Sequence, residues 1–251
     1  MSEEKFTSEA DKQVTVSFTI EENIRRDAWN WWDAVNKSSH GEKWIDRLPE
    51  QEREVLTEQC AGRTEEVALD FLVPYLEENY YVPNKESYEE SLEKMRDLFE
   101  QKLQPGCAKL VEVMGKPLYI DDFTITLTTF NRGPYNKEKG WFMIGYIWSD
   151  PLRAALHEIS HFQFTHYWRE NSESEVSKMS FEAFDYLKEA LTIILDEDFV
   201  QDGIISAPDR GYLRHQELRK KLTEKWQETH NFDELVNFGV QELSNSNYLI
   251  K

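Results

Sequence analysis

The stretch from Asp150 to Glu170 constrains the fold more than any other part of the chain, because nothing in it interrupts a helix. Its sequence is DPLRAALHEISHFQFTHYWRE, with no glycine and no proline after Pro151. Ser149 or Asp150 can cap the free amides at its start, and proline suits the first helical position. The pattern predicts one continuous helix that runs through the five residues HEISH.

The two histidines of HEISH are placed to share one metal ion. His157 and His161 lie about 40° apart on one helical face, because an α-helix turns about 100° per residue. Neutral imidazoles at this spacing suit Zn²⁺. Glu158 lies about 100° from His157, where its carboxylate can reach a water on the ion and take a proton from it. The alternative interpretation of HEISH is an ordinary polar patch on a long helix.

The motif and its surroundings resemble the zincin-type metallopeptidases. The resemblance covers roughly residues 118–200 and rests on His157, Glu158 and His161, with strands before the HExxH helix. It implies a zinc ion, hydrolysis of peptide bonds, and an edge strand that pairs with an extended substrate. Trp141–Trp148 or Leu118–Phe130 would supply that edge strand.

A zinc site of this kind needs a third protein ligand. His166 lies about 180° from His157 on a continuous helix, and the chain lacks the HExxHxxGxxH pattern of zincins that use a third histidine. We therefore expect a structural role for His166. The gluzincin group of zincins instead uses a glutamate on the following helix.

The segment Met179–Phe199 is the predicted following helix, and its acidic residues share one stripe. They are Glu182, Asp185, Glu189 and Asp196. Glu189 lies in the apolar run LKEALTIIL, where a carboxylate is costly unless it pairs with a charge or a metal. We expect Glu189 as the third ligand, with Asp185 or Glu182 as alternatives. Asp196, or Asp185 if it is not a ligand, is expected to orient a ligand histidine.

Peptidases of this type also place a Tyr, His or Arg donor against the developing negative charge. Tyr212 and His215 are three residues apart on a predicted helix, so they share a face and are the candidate catalytic donors. Tyr186 and His230 are further possibilities. A structural role is the competing interpretation for each of them.

Composition excludes several classes of function. The chain has 48 acidic and 29 basic residues, a formal charge of −19 that disfavours nucleic acids and anionic membranes as partners. Cys60 and Cys107 are too few for a disulfide framework or a cysteine-rich zinc site. We find no signal peptide and no apolar run long enough for a membrane span, and expect a cytoplasmic protein. Nothing predicts the oligomeric state.

Periodicity predicts an α+β fold, mostly helical with a small antiparallel sheet before the HExxH helix. A strand is expected at 14–20, followed by helices at 21–37, 49–62, 64–79 with a kink or split at Pro74, and 84–104 closed by Pro105 and Gly106. The segments at 118–130 and 141–148 are expected to form a long antiparallel hairpin. Further helices are predicted at about 150–170, 178–200, 209–228 and 231–243.

We expect a single zincin-like domain over 1–251, with mainly N-terminal helices in 1–107 and the sheet, the HExxH helix and the C-terminal helices in 108–251. The connection at 131–140 is interpreted either as a substrate-covering loop or as an exposed turn. The predicted function is a zinc-dependent metallopeptidase acting on peptides or proteins. The alternatives are a zincin-fold metal-binding protein without turnover and an acidic helical module that binds other proteins.

Overall fold

The computed structural model of the protein describes residues 14–39 and 42–245. The helices are α1 (Ile24–Asn36), α2 (Glu50–Cys60), α3 (Glu65–Leu76), α4 (Lys85–Met114), α5 (Pro151–Phe164), α6 (Phe181–Ala190), α7 (Glu197–Gln201), α8 (Gln216–Thr229) and α9 (Phe232–Asn245). The strands are β1 (Ser17–Glu21), β2 (Ser38–Ser39), β3 (Glu42–Lys43), β4 (Asp122–Thr128), β5 (Tyr135–Asn136) and β6 (Trp141–Gly145). This mainly helical chain with its small sheet confirms the predicted α+β class. Across the described ranges, no helix combines the length and the apolar character that crossing a membrane requires.

The main sheet has the strand order β1-β4-β6-β5 and is mixed rather than antiparallel. β4 runs parallel to β1 and to β6, and Ile125 of β4 lies opposite Phe142 of β6. Only β5 is antiparallel to its neighbour, β6. The predicted long hairpin is therefore wrong. The connection over 129–140 is about as long as a parallel crossover needs, and it adds β5 on the far side of β6 instead of turning directly back.

The two strands expected to form the substrate-pairing edge are both interior strands. β4 lies between β1 and β6, and β6 lies between β4 and β5. The edges are β1 and the two-residue strand β5. The expectation that Trp141–Trp148 or Leu118–Phe130 forms an edge is therefore wrong, because each strand has its hydrogen-bonding groups covered on both sides.

Helix α4 continues past Pro105 and Gly106, where the sequence predicted its end. Its second half is buried against the sheet and α5 through Leu103, Cys107, Leu110 and Met114. Gly106 permits this contact, because a Cβ there would meet the side chain of Leu156 at 2.9 Å. Burial of this apolar face outweighs the roughly 3 kcal/mol cost of an interior proline. Helix α3 likewise continues past Pro74 without a split.

The helix predicted from Asp150 is confirmed, including its start. The Asp150 side chain accepts a hydrogen bond from the backbone N of Arg153 at 2.9 Å, and Pro151 is the first helical residue. A π-helical turn over Thr165–Arg169 follows α5. HEISH thus lies within regular α-helix.

Of the three helices predicted after α5, the first is interrupted and the second begins later than expected. A 3₁₀ turn over Leu191–Ile194 ends the run that starts with α6, and Asp196 caps α7 by accepting from the backbone N of Asp198 at 3.0 Å. A second 3₁₀ turn, Leu213–His215, precedes α8. The side chain of Asp196 offers its own hydrogen bond to the backbone, and this competes with helix continuation.

A second apolar core lies among α1, α2 and α3, around the buried Trp31. Asp27 of α1 ties this core to the end of β4. Its carboxylate accepts hydrogen bonds from Thr128 Oγ1 (2.5 Å), Thr129 N (3.1 Å), Thr129 Oγ1 (2.7 Å) and Tyr81 OH (3.0 Å). This buried carboxylate is thus satisfied by neighbours from two other parts of the chain.

Candidate metal centre

His157, His161 and Glu189 form a group that can hold a metal ion. The histidines lie one turn apart on α5, and Glu189 lies near the end of α6, which packs against α5. One ligand atom from each residue lies within 4.8 Å of the others. Glu189 Oε2 is 3.5 Å from His157 Nε2, and Glu189 Oε1 is 3.1 Å from His161 Nε2. Within residues 14–39 and 42–245, this is the group of His, Cys, Asp or Glu side chains in which three possible ligand atoms lie that close together.

The spacing and the hydrogen bonding of these atoms fit a metal ion. Tetrahedral ligands at about 2.1 Å from zinc are about 3.4 Å from one another, close to the two distances between Glu189 and the histidines. His161 Nε2 is buried and makes no hydrogen bond, although Glu189 lies nearby. Burial lowers the pKa of His161 to about 3, so its imidazole is neutral and has a lone pair to donate.

Asp209 orients the other ligand histidine. Its Oδ2 lies 2.9 Å from His157 Nδ1, which leaves His157 Nε2 directed toward Glu189. Asp209 itself accepts hydrogen bonds from Gly211 N at 2.8 Å and Thr192 Oγ1 at 3.1 Å. Carboxylate–histidine pairs of this kind fix the ring and raise its basicity as a ligand.

The residues predicted for this orienting role lie elsewhere. Asp196 accepts a hydrogen bond from Trp226 Nε1 at 3.0 Å and caps α7. Asp185 forms an ion pair with Lys188 at 3.1 Å. The prediction that Asp196 or Asp185 holds a ligand histidine is therefore wrong, because His157 Nδ1 bonds to Asp209 and the break after α6 leaves Asp196 bonded to Trp226. Glu182, an alternative third ligand, is exposed.

Lys188 places a buried positive charge against the third ligand. Its Nζ lies 2.9 Å from Glu189 Oε1 and 3.0 Å from Tyr135 OH. Burial alone would raise the pKa of Glu189, but the adjacent positive charge of Lys188 outweighs it and holds that pKa well below its ordinary value. The carboxylate of Glu189 is therefore ionised, as a metal ligand must be.

Glu158 has the environment of a proton acceptor. Its Oε2 is buried and has no hydrogen-bond partner. Burial raises the pKa of Glu158 to about 7, although the positive charge on His157 opposes the shift. A carboxylate with this pKa can both take up and release a proton near neutrality.

A cavity of about 500 Å³ gives access to these residues. His157, Glu158, His161 and Glu189 form one wall, and the predicted donor Tyr212 also lines the cavity. The connection at 131–140 contributes residues 131–135 to the lining, so this part of it borders the cavity. The edge strand β5 reaches the cavity through Tyr135.

The other predicted polar residues do not line this cavity. His215 is fully buried, and its Nε2 accepts a hydrogen bond from Arg214 Nε at 3.0 Å. Tyr186 donates to the backbone oxygen of Arg214. His166 stacks on Tyr119 with ring centroids 4.0 Å apart, as its expected structural role requires.

The sequence interpretation did not find Asp209, Lys188 or Tyr135. Asp209 lies in an irregular segment 52 residues from His157, and no local pattern connects the two. Lys188 did leave a signal, because it interrupts the apolar run LKEALTIIL beside Glu189. A lysine in a buried run indicates a buried partner. Tyr135 left none, since β5 spans only two residues.

No family model, curated protein or solved structure matches the chain. The centre is therefore interpreted from its own residues.

Proposed function

We propose that the protein is a zinc-dependent hydrolase of zincin type, and that it cleaves peptide bonds. The observation that carries the proposal is the convergence of His157, His161 and Glu189 beside the unpartnered carboxylate of Glu158. Two buried polar atoms of this cluster, Glu158 Oε2 and His161 Nε2, have no hydrogen-bond partner. Such atoms are costly for folding alone, so their presence favours a ligand-binding role.

Zinc fits the donor set best. Two imidazole nitrogens, one carboxylate oxygen and one remaining position for a water or a substrate are typical of catalytic zinc sites. Zinc bound by these side chains would supply a Lewis acid that polarises a carbonyl and lowers the pKa of a water molecule.

Asp209, Glu158 and Tyr212 would each have a separate role in the reaction. Asp209 holds the imidazole of His157 in place through its Nδ1. Glu158 accepts a proton at its carboxylate and delivers it to the leaving amine, a double task that a pKa of about 7 suits. Tyr212 lines the cavity and can donate a hydrogen bond from its hydroxyl to the developing oxyanion.

Peptide as the substrate class is supported by the resemblance of HEISH to the zincin motif and by the edge strand β5. An extended peptide can add to an exposed sheet edge through main-chain hydrogen bonds. The edge that adjoins the cavity is β5, because Tyr135 lies both on this strand and in the cavity wall. We propose that β5 positions the substrate chain.

The second candidate is a metal-binding protein without turnover. His157, His161 and Glu189, with Asp209 orienting His157, could hold a metal ion whether or not a substrate is turned over. Lys188, whose ammonium group lies 2.9 Å from the Glu189 oxygen that faces His161, counts against both candidates, because a cation there repels a metal ion and competes for its ligand. The two candidates predict the same ligands but differ in what Glu158 does.

Two measurements on purified protein test the proposal. Elemental analysis should find one zinc per chain, and His161→Gln should remove it. Peptide hydrolysis by the zinc-loaded protein should fall about 10²- to 10⁴-fold in Glu158→Gln, while the zinc remains bound. Bound zinc without hydrolysis in the wild type would favour the second candidate. The absence of stoichiometric zinc would contradict both and would support the protein-binding module.

A further inference from the structure

The cavity beside the candidate metal centre is far less acidic than the chain as a whole. Its lining carries equal numbers of cationic side chains and carboxylates, five of each. The chain has 48 acidic residues against 29 basic ones. A bound divalent ion would make this region positive, which favours an anionic ligand.

Most of the carboxylates that line the cavity already have a cation or a ligand role. Asp33 pairs with Lys37 at 2.6 Å and with Arg132 at 2.7 Å, and Asp185 pairs with Lys188 at 3.1 Å. Glu189 and Asp209 belong to the metal centre. These four carboxylates are therefore engaged already and do not neutralise a further cation in the cavity lining.

Arg153 is such a further cation. Its guanidinium donates one hydrogen bond, from NH1 to the backbone oxygen of Pro208 at 3.2 Å. In the part of the chain that the structure describes, no carboxylate lies at ion-pair distance from it. The nearest acidic neighbour in sequence, Asp150, accepts instead from the backbone N of Arg153 and from Ser206 N at 2.8 Å. The guanidinium thus has donors available for a ligand.

Arg153 also stands where a ligand would pass. It lies one helical turn before His157 on α5, about 6 Å along the helix axis. It lines the metal-centre cavity and also a second cavity of about 720 Å³, whose walls include Tyr80, Tyr88 and Tyr146. An extended peptide rises about 3.3 Å per residue, so a group near Arg153 is one or two residues from one held at His157.

We propose that Arg153 binds a carboxylate of the substrate one or two residues from the scissile bond, and so selects acidic peptides. This inference rests on the proposed hydrolase function. The carboxylate can belong to an Asp or Glu side chain or to the peptide's own C-terminus. Arginine suits either source, because its planar fork donates two parallel hydrogen bonds to a carboxylate.

The test compares matched peptides that differ in one charge. One pair carries Glu or Gln beside the scissile bond with an amidated C-terminus, and a second pair carries Gln with a free or an amidated C-terminus. The zinc-loaded wild type should cleave the acidic member of one pair with about tenfold higher kcat/KM. Whichever pair shows the preference identifies the source of the carboxylate.

Substitutions assign the preference to Arg153. Arg153→Gln should abolish it, and Arg153→Glu should reverse it in favour of a Lys-containing peptide. Arg96→Glu makes the same charge change on an exposed part of α4 that lines neither cavity, and should keep the wild-type preference. Equal kcat/KM for both members of each pair, or a preference retained in Arg153→Gln, would overturn the inference.

Binding separates this inference from the proposed hydrolase function. The same peptides are titrated into zinc-loaded wild type and Glu158→Gln, with fluorescence anisotropy as the readout. Tighter binding of acidic peptides that depends on Arg153, without any cleavage, would contradict the hydrolase and leave the assignment of Arg153 in place. Equal affinities, or no binding of any peptide, would overturn the assignment of Arg153.

Discussion

Two carboxylates with buried oxygens, Asp27 in the N-terminal core and Glu158 beside the candidate metal ligands, have opposite surroundings. Asp27 accepts hydrogen bonds from Thr128, Thr129 and Tyr81. Glu158 Oε2 has no partner. Burial raises the pKa of both groups. Hydrogen-bond satisfaction, rather than burial or a shifted pKa, therefore distinguishes a carboxylate that holds the fold from one available for chemistry.

One candidate metal ligand, His161, shows the same contrast as Glu158. His161 Nε2 is buried without a hydrogen bond, whereas the polar groups around Asp27 bond to one another. Unsatisfied buried groups reduce stability, so their presence favours a ligand that completes them. We therefore expect substitutions at Asp27 to change stability and substitutions at the metal centre to change binding.

The largest effect is expected for Asp27→Ala. It leaves buried donors of Thr128, Thr129 and Tyr81 without an acceptor, which should lower the free energy of unfolding by about 4 kcal/mol. Urea unfolding measures this change. Asp70→Ala, an exposed site on α3, is the control and should change stability by less than about 1 kcal/mol. Weakened zinc binding in folded Asp27→Ala would contradict the conclusion that Asp27 affects stability and not metal binding.

The second-largest effect is expected in the metal-free protein, whose stability should depend on pH through Glu158. Burial raises the pKa of Glu158 from 4.5 to about 7, so folding favours the protonated carboxyl. The stabilisation from this pKa shift is fully present below about pH 4.5 and is lost as the pH rises through about 7. The loss lowers the free energy of unfolding by about 3 kcal/mol. Unfolding measured across this range should show wild type losing stability relative to Glu158→Gln.

A surface variant provides the control for this pH series. Glu182→Gln removes one carboxylate from an exposed position on α6 and accounts for the change in net charge. A difference between wild type and Glu158→Gln that stays constant with pH would show that Glu158 titrates alike in the folded and the unfolded chain.

Zinc should stabilise the wild type by completing the unsatisfied groups. At a zinc concentration about one hundred times the Kd, the free energy of unfolding should rise by about 2.7 kcal/mol. His161→Gln should lose this gain, whereas His166→Gln should keep it, because His166 stacks on Tyr119 outside the cavity. Calorimetry with and without zinc measures both. Equal stabilisation of the two variants would remove His161 from the ligand set.

The smallest effect is expected for Asp209→Asn. The amide keeps the size of the side chain but weakens its hold on His157 Nδ1, so zinc affinity should fall about thirtyfold, or ~2 kcal/mol. Competition with a chelating dye measures the affinity. Asp196→Asn is the matched control, because Asp196 bonds Trp226 instead of a ligand histidine. An equal loss in both variants would contradict the role of Asp209.

Local signals predicted the helices better than the sheet. The helix through HEISH followed from its cap and from the lack of glycine and proline, which act within a few residues. The direction of β6 relative to β4 did not follow, because it depends on how the connection between them crosses the sheet. The continuation of α4 past Pro105 also depends on a distant partner, the side chain of Leu156 against Gly106.

Some features of the candidate centre could likewise be predicted from the sequence and others could not. Helical geometry alone sets His157 and His161 on one face, and the apolar run around Glu189 predicts its burial, so three ligands could be named from the sequence. Asp209, the edge strand β5 and the cavity position of Tyr212 could not. They depend on which segments pack against α5, and no spacing along the chain encodes that choice.

The relative positions of His157, Glu158 and His161 follow from the amino-acid sequence, because backbone geometry places residues one turn apart on a helix. The packing of distant segments sets which carboxylate orients His157, which strand borders the cavity, and that Arg153 has no acidic partner in the described chain. These contacts join residues far apart in sequence. Their geometry results from the packing of whole elements, and only the folded chain shows it.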